Sequence, residues 1–486
     1  MDSNGVTMHH PDGSAHHLPL PRARPRAPLR LALALAVTAV AGGTPEPAQA
    51  RSLAAIERSG ELRVLTRNAP TTWYIDRTGR PAGPEYELVE AFAAAIGVEA
   101  VYDRRASVGA IIDALAAGEG DLAAAGLTTT AARRERFRFG PAYQAVTQQV
   151  VCRRDNVQPE TLRQLASVDD VAVIADSSYA ELLRALERQG YPVPQWRAAE
   201  GTTTETLLYR VWRRELDGTV ADSTIVDINR RYLPELLTPM NLSREQQLAW
   251  MLPPDAAALE AAITDWLGRY RARGDLAGLH EKYYGFFKVF DYVDTRVLIR
   301  RTDERFPKYR HWFRAAAAEH GLGFTLLAAQ GYQESHWDPR AASPTGVRGI
   351  MMLTRTTARA VGVQDRLDPR QSIFGGARYM ARMKGRFVDA VGEPDRTFLA
   401  LAAYNVGRAH LHDAQVLARR KGLSPHHWRD IKQVLPLLAQ PRYYRDLKYG
   451  YARGREPVRY VQRIREYQHV LENELRAEAM QQAWLE

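Results

Sequence analysis

Residues 324–337 read FTLLAAQGYQESHW. Small and apolar side chains dominate the first two turns, so the segment predicts a helix buried on most of its surface. Asp338-Pro339 follows, and proline, lacking an N–H and clashing with the preceding turn, stops the helix there. The stretch carries one carboxylic acid, Glu334, flanked by aromatics. Burial disfavours the charged form of a carboxyl and raises its pKa, so such a group can hold a proton near neutrality. Protonating a glycosidic oxygen needs that property. A structural hydrogen bond between Glu334 and His336 at the helix end is the other use of the same residues.

Outward from this helix, apolar residues keep a helical spacing from about residue 303 onward: Trp312, Phe313, Ala316 and His320, then Leu326, Leu327 and Tyr332. Strand-like runs are nearly absent, and this half is predicted all-α. Residues 343–353 (SPTGVRGIMML) place glycines where the backbone must approach something closely. Residues 402–407 (AAYNVG) bring an aromatic ring and an amide suited to a sugar, and Tyr460, Ile464 and Tyr467 recur on one face of a late helix. The front half reads differently. Short β-rich runs at 62–65, 171–174 and 218–221 alternate with helical patterns at 87–96, 108–117, 178–188, 204–213 and 255–271, the signature of an α/β fold with covered sheets. Residues 286–300 (FFKVFDYVDTRVLIR) join the halves and are too apolar for a loose linker.

Charge divides the chain at the same place. Residues 296–486 carry 33 basic and 19 acidic side chains, whereas residues 51–295 carry 29 basic and 34 acidic. The halves therefore suit different partners. A basic back half attracts anionic polymers. With one cysteine in 486 residues, an intramolecular disulfide framework and multi-cysteine metal sites are excluded. Cys152, in the run Gln149-Val150-Val151-Cys152, is expected to be a buried, inert thiol. No phosphate loop, dinucleotide fingerprint, nucleophile elbow or histidine-rich spacing occurs in 51–285, and the reading requires no cofactor and no metal. Residues 29–41 (LRLALALAVTAVA) follow Arg22, Arg24 and Arg26 and precede Ala48-Gln49-Ala50, which predicts a cleaved export signal over 1–50.

Several ordered motifs carry resemblances. Residues 60–65 (GELRVL), Gly83, 115–122 (LAAGEGDL), 126–133 (GLTTTAAR), 139–143 (FGPAY) and 217–222 (DGTVAD) resemble the family-3 periplasmic solute-binding proteins. The resemblance implies a site for an amino-acid-like ligand, with Arg133 on the carboxylate, Asp222 on the amine, and Thr128 and Ser177 adding hydroxyls. Ala131-Ala132 stands where that family carries Pro-Glu before the arginine. In the back half, the Glu334-Ser335 pair, the 346–353 loop, Ala403-Tyr404-Asn405 and Tyr460 resemble soluble lytic transglycosylases, the goose-lysozyme-like family. That resemblance implies Glu334 as acid and then base in cleaving murein with a 1,6-anhydro product. Ser343 would orient Glu334 or the substrate's N-acetyl group, and Met351, Tyr404, Asn405 and Tyr460 would line the groove. Met352 stands where the wider family has glutamine.

The combined expectation is an α/β two-lobed periplasmic-binding-protein-like domain followed by an all-α lysozyme-like domain. The divisions are a signal peptide over 1–50, a regulatory solute-binding domain over 51–285, a linker over 286–302 and a catalytic domain over 303–486. The expected partners are peptidoglycan strands and a small amino-acid-like or muropeptide ligand, without nucleic acid, in the periplasm with peripheral contact at the outer membrane. A hydrolytic muramidase on the same fold, or a periplasmic binding protein anchored to the wall by its helical half, are the competing readings.

Overall fold

The computed structural model describes residues 51–76, 79–286, 292–344 and 346–485. The expected signal segment 1–50 and residues 287–291 of the expected linker lie outside them.

The front half forms two lobes, each built on a five-stranded sheet. In the first lobe the strands lie in the order Glu99–Arg104, Glu61–Thr66, Leu122–Ala123, Met251–Leu252 and Arg138–Phe139. In the second the order is Trp196–Ala199, Val171–Ile174, Gly218–Asp222, Gln148–Arg153 and Leu236–Asn241. Val171–Ile174 and Gly218–Asp222 are buried at every position. Strands covered on both faces need continuous apolar runs, which is why these segments read as VAVI and GTVAD rather than as alternating patterns. The chain crosses between lobes twice, and the crossings pair as an antiparallel ribbon, Gln144–Val146 with Gln246–Leu248. Cys152 is fully buried in the second sheet, where desolvation pushes its thiol pKa up to about 12.

The back half is helical. Helix Phe324–Ser335 is buried along almost its whole length and packs against the long helix Arg455–Leu485. Its end differs from the proline stop expected from sequence. His336 and Trp337 both adopt left-handed backbone conformations (φ 53° and 56°), so the helix closes at Ser335, before Pro339. The turn swings Trp337 inward: its Nε1 donates to Ala328 O at 2.9 Å, and its ring lies 4.8 Å from Phe306 and 4.7 Å from Tyr332. Burying the indole with its N–H satisfied offsets the cost of two strained residues.

Residues 292–304 of the joining segment are helical. The two halves are tied by Glu281, at the end of the front half, which accepts from Arg465 and Lys432 of the back half. Arg465 is buried, with its guanidinium 4.5 Å from the Phe286 ring and 4.3 Å from the Phe398 ring.

Candidate active site

Glu334 sits in the last turn of helix Phe324–Ser335, one residue before the close. Its side chain keeps a partly exposed edge, but the apolar surroundings desolvate the carboxyl and push its pKa from 4.5 up to about 8. One hydrogen bond works in the opposite direction: the Tyr460 hydroxyl donates to Glu334 Oε1. Tyr460 is itself fixed by Gln330, whose Nε2 donates to the phenol oxygen at 3.2 Å. Gln330 and Glu334 are four residues apart and share a helix face, so one tyrosine reaches both. Sequence reading did not single out Gln330; its place one turn before the glutamate is the signal that could have found it. His336 is not the partner of Glu334: its ring packs 4.9 Å from Tyr332 and its carbonyl accepts from Arg305.

The loop that follows brings a second wall. Ser335 Oγ donates to Ile350 O at 2.9 Å, tying the glutamate helix to residues 346–353. Gly349 has φ +83°, and a Cβ there would lie 1.8 Å from Arg366 O, so only glycine fits. Met351 requires a correction. Its side chain is fully buried, wedged against Gly331 and Gly376, and cannot contact a sugar. Its backbone is what serves the site. Ser372 Oγ accepts from Met351 N–H at 3.1 Å, and Met351 O accepts from the Tyr404 hydroxyl at 2.9 Å. Tyr404, in the last turn of helix Asp395–Val406, is held by that bond, and burial first, then the charge of Glu334, raises the pKa of both Tyr404 and Tyr460. Asn405 is exposed beside it. Ser343 lies in a tight loop, where its Oγ accepts from Val347 N–H at 3.3 Å.

No charged residue contributes to the shift of Glu334. The three aspartates that follow it in sequence are each engaged locally: Asp338 accepts from Arg340 N–H, Asp365 from Leu367 N–H, and Asp368 caps helix Pro369–Lys384 through Gln371 N–H. The geometry thus offers one protonated carboxyl, one phenol bonded to it and a second phenol close by.

The front cleft gathers a different set. Arg133 is buried and bridges the lobes: Nε donates to Glu181 Oε1 at 2.9 Å, Nη2 to Asp176 O at 3.0 Å and Nη1 to Thr128 O at 3.3 Å. Asp222 is buried at the end of its strand, and burial raises its pKa to about 7 against the pull of Tyr179, Arg67 and Arg133. Thr128 Oγ1 accepts from Ser178 Oγ at 3.2 Å. Ser177 requires a correction: its hydroxyl donates to Ile174 O and accepts from Ala180 N–H, capping helix Ser178–Arg188. Its neighbour Ser178 carries the hydroxyl that meets Thr128.

Residues 62–286 match the model of bacterial extracellular solute-binding proteins, family 3, and residues 311–425 match the transglycosylase SLT domain. The chain is 47% identical over 428 residues to a protein from Alkalilimnicola ehrlichii named membrane-bound lytic murein transglycosylase F 1, covering 88% of this chain and 86% of that protein. It is also 47% identical over 420 residues to membrane-bound lytic murein transglycosylase F of Maricaulis maris, covering 86% and 92%. Among solved structures, an amino acid ABC transporter substrate-binding protein from Streptococcus pneumoniae bound to L-arginine aligns with a TM-score of 0.43 and 20% identity, over 48% of this chain and 98% of that one.

Proposed function

The chain belongs to the membrane-bound lytic murein transglycosylase F family, and from that premise we propose that it cleaves the β-1,4 bond between N-acetylmuramic acid and N-acetylglucosamine with Glu334 as the single acid–base group. The observation that carries the reading is a carboxyl whose pKa stands at about 8 with Tyr460 as its polar partner and no charged neighbour acting on it.

At neutral pH Glu334 is mostly protonated and donates its proton to the glycosidic oxygen as the C1–O bond breaks. The carboxylate left behind then takes the proton of the muramoyl C6 hydroxyl. That oxygen bonds to C1, closing a 1,6-anhydro ring, and Glu334 regains the proton it gave. Water is neither consumed nor released. Two-carboxylate glycosidases need a second acid to activate water or act as nucleophile, and the nearby aspartates are tied up in turns and a cap. Tyr460 and Gln330 orient the carboxyl, Tyr404 and Asn405 face the glycan, and Ser343 belongs to the loop beside it.

The domain division follows the same reading. Residues 1–50 form the export signal, 51–285 a regulatory ligand-binding domain in which Asp222 receives a cationic group, 286–302 the connection and 303–486 the catalytic domain. The protein works in the periplasm at the outer membrane's inner face. Among the described residues no helix is long and apolar enough to cross a membrane, and the contact is peripheral. The test is digestion of purified peptidoglycan by the mature chain beside Glu334→Gln: glycan fragments appear with the first and not with the second. Equal release by the two proteins would refute the assignment.

A further inference from the structure

Helix Arg455–Leu485 carries a second polar stripe, about a quarter-turn round from Tyr460. Arg459, Arg463, Glu466 and Val470 follow one another at spacings of four, three and four, so they share one face. That face looks onto Arg231 of the second lobe and onto Asp294 in the first turn of helix Tyr292–Glu304. Together these walls bound a cavity of about 230 Å³ at the seam between the halves. Pockets for whole drug-sized ligands run to about 300–1,000 Å³, so this one suits the end of a longer chain.

The charges in the cavity are unequally matched. Arg231 and Glu466 face each other at 3.7 Å, both largely out of water. Burial raises the Glu466 pKa to about 7, which weakens its hold on a cation near neutrality. Nearer solvent, Arg463 lies 3.4 Å from Asp294, and both side chains are about half exposed. An exposed pair of that kind contributes at most about 1 kcal/mol, so an incoming carboxylate can share Arg463 at little cost. Arg459, one turn earlier, makes no hydrogen bond or ion pair among the described residues. Three arginines thus meet two carboxyls, and one further anionic group completes the set. Tyr467 and Val470, both buried, add apolar surface beside them. A carboxylate next to a short aliphatic side chain is the chemistry of a peptide's end.

The cavity is within reach of the acid. Arg459 precedes Tyr460, and the charge of Arg463 acts on His336, two residues beyond Glu334. From Tyr460 to Glu466 the helix rises only about 9 Å, whereas four extended peptide residues span about 13 Å. Resting on the reading of the back half as a lytic transglycosylase, we propose that the seam cavity is a peptide subsite of the cleavage reaction: Arg459 and Arg463 receive a carboxylate of the stem peptide carried by the muramoyl residue, and Tyr467 and Val470 receive an aliphatic side chain beside it. The guanidinium fork matches a carboxylate in two parallel hydrogen bonds. The two arginines are then specificity residues that select peptide-bearing strands, while Glu334 does the chemistry.

The experiment measures initial rates of the mature full-length chain on three preparations of the same glycan strands: bearing peptides, bearing peptides with amidated carboxyls, and stripped of peptides. KM for the first is expected about 10-fold below the other two, the effect of one charge-assisted contact. Arg459→Gln and Arg463→Gln should each narrow that gap to about 2- to 3-fold, through KM rather than kcat, and Arg459→Lys, which keeps the charge, should preserve most of it. Arg459 is exposed, so its replacement disturbs the fold little, and a ratio taken within one protein cancels any change in its folded fraction. Equal KM values on all three preparations, a preference that survives amidation, or one that both glutamine variants retain would overturn the peptide subsite and leave the transglycosylase reading standing. A folded wild-type chain that cleaves none of the preparations would overturn both.

Discussion

Glu334 in the back half and Asp222 in the front half are both buried carboxyls whose pKa is raised by desolvation, to about 8 and about 7. Their surroundings differ in the charge of the neighbours. Around Glu334 the polar partner is a neutral phenol, and no cation acts on the carboxyl. Around Asp222 two arginines, Arg67 and Arg133, pull the pKa back down. An acid that gains nothing from a nearby positive charge is suited to holding and passing a proton, whereas an acid facing cationic fields with an open oxygen is suited to accepting a charged ligand. A raised pKa alone therefore does not identify a catalytic acid; the sign and kind of the neighbours do.

The sharpest way to break this contrast is Glu334→Gln, which keeps shape and removes the proton. Turnover of peptidoglycan should fall about 10²- to 10⁴-fold, the usual worth of a general acid–base group, measured as the initial rate of fragment release. Stability responds in the other direction. Below about pH 4.5 the carboxyl is protonated in the folded and the unfolded chain alike. As pH rises the unfolded chain ionises first, so the folded state loses stability until about pH 8, by roughly 3 kcal/mol after allowing for the partly exposed edge. Urea unfolding at pH 5 and pH 9 should show Glu334→Gln losing less stability over that interval than the wild type. An equal loss would mean the burial of the group is not what raises its pKa.

A finer comparison concerns the tyrosines. Tyr460 lowers the pKa of Glu334 by bonding to its carboxylate. Wild-type turnover should decline as pH climbs through about 8, where the acid form is lost, and Tyr460→Phe should move that limb to higher pH while lowering the maximal rate about 10-fold, seen in the pH–rate profile. Tyr404→Phe removes a hydrogen bond to the Met351 carbonyl and should have the smallest effect, about 1 kcal/mol of stability and a several-fold loss of rate with no shift of the limb.

Much of this arrangement was legible in the chain. The strands and helices of the front half announced themselves because covered sheets demand apolar runs of a length that helices do not share. Glu334 and Tyr460 were legible as a set of ordered motifs, and the structure brings their side chains into contact across 126 residues. The misses have a common cause. Met351 and Ser177 sit inside motifs that carry chemistry, but each spends its polar or apolar capacity on the fold: Met351 fills space beside Gly331 and Gly376, and Ser177 caps a helix. Gln148 carries no local pattern at all. Strand register puts it opposite Asp222, and register is not written in the spacing of a single segment.

The central claim, that one carboxyl gives and takes back the same proton without water, is tested most directly by digesting peptidoglycan with the mature chain in ¹⁸O-labelled water. The account predicts fragments with anhydro-muramic ends and no ¹⁸O incorporated at the cleaved carbon. Reducing ends carrying one ¹⁸O would contradict it and require a second catalytic group.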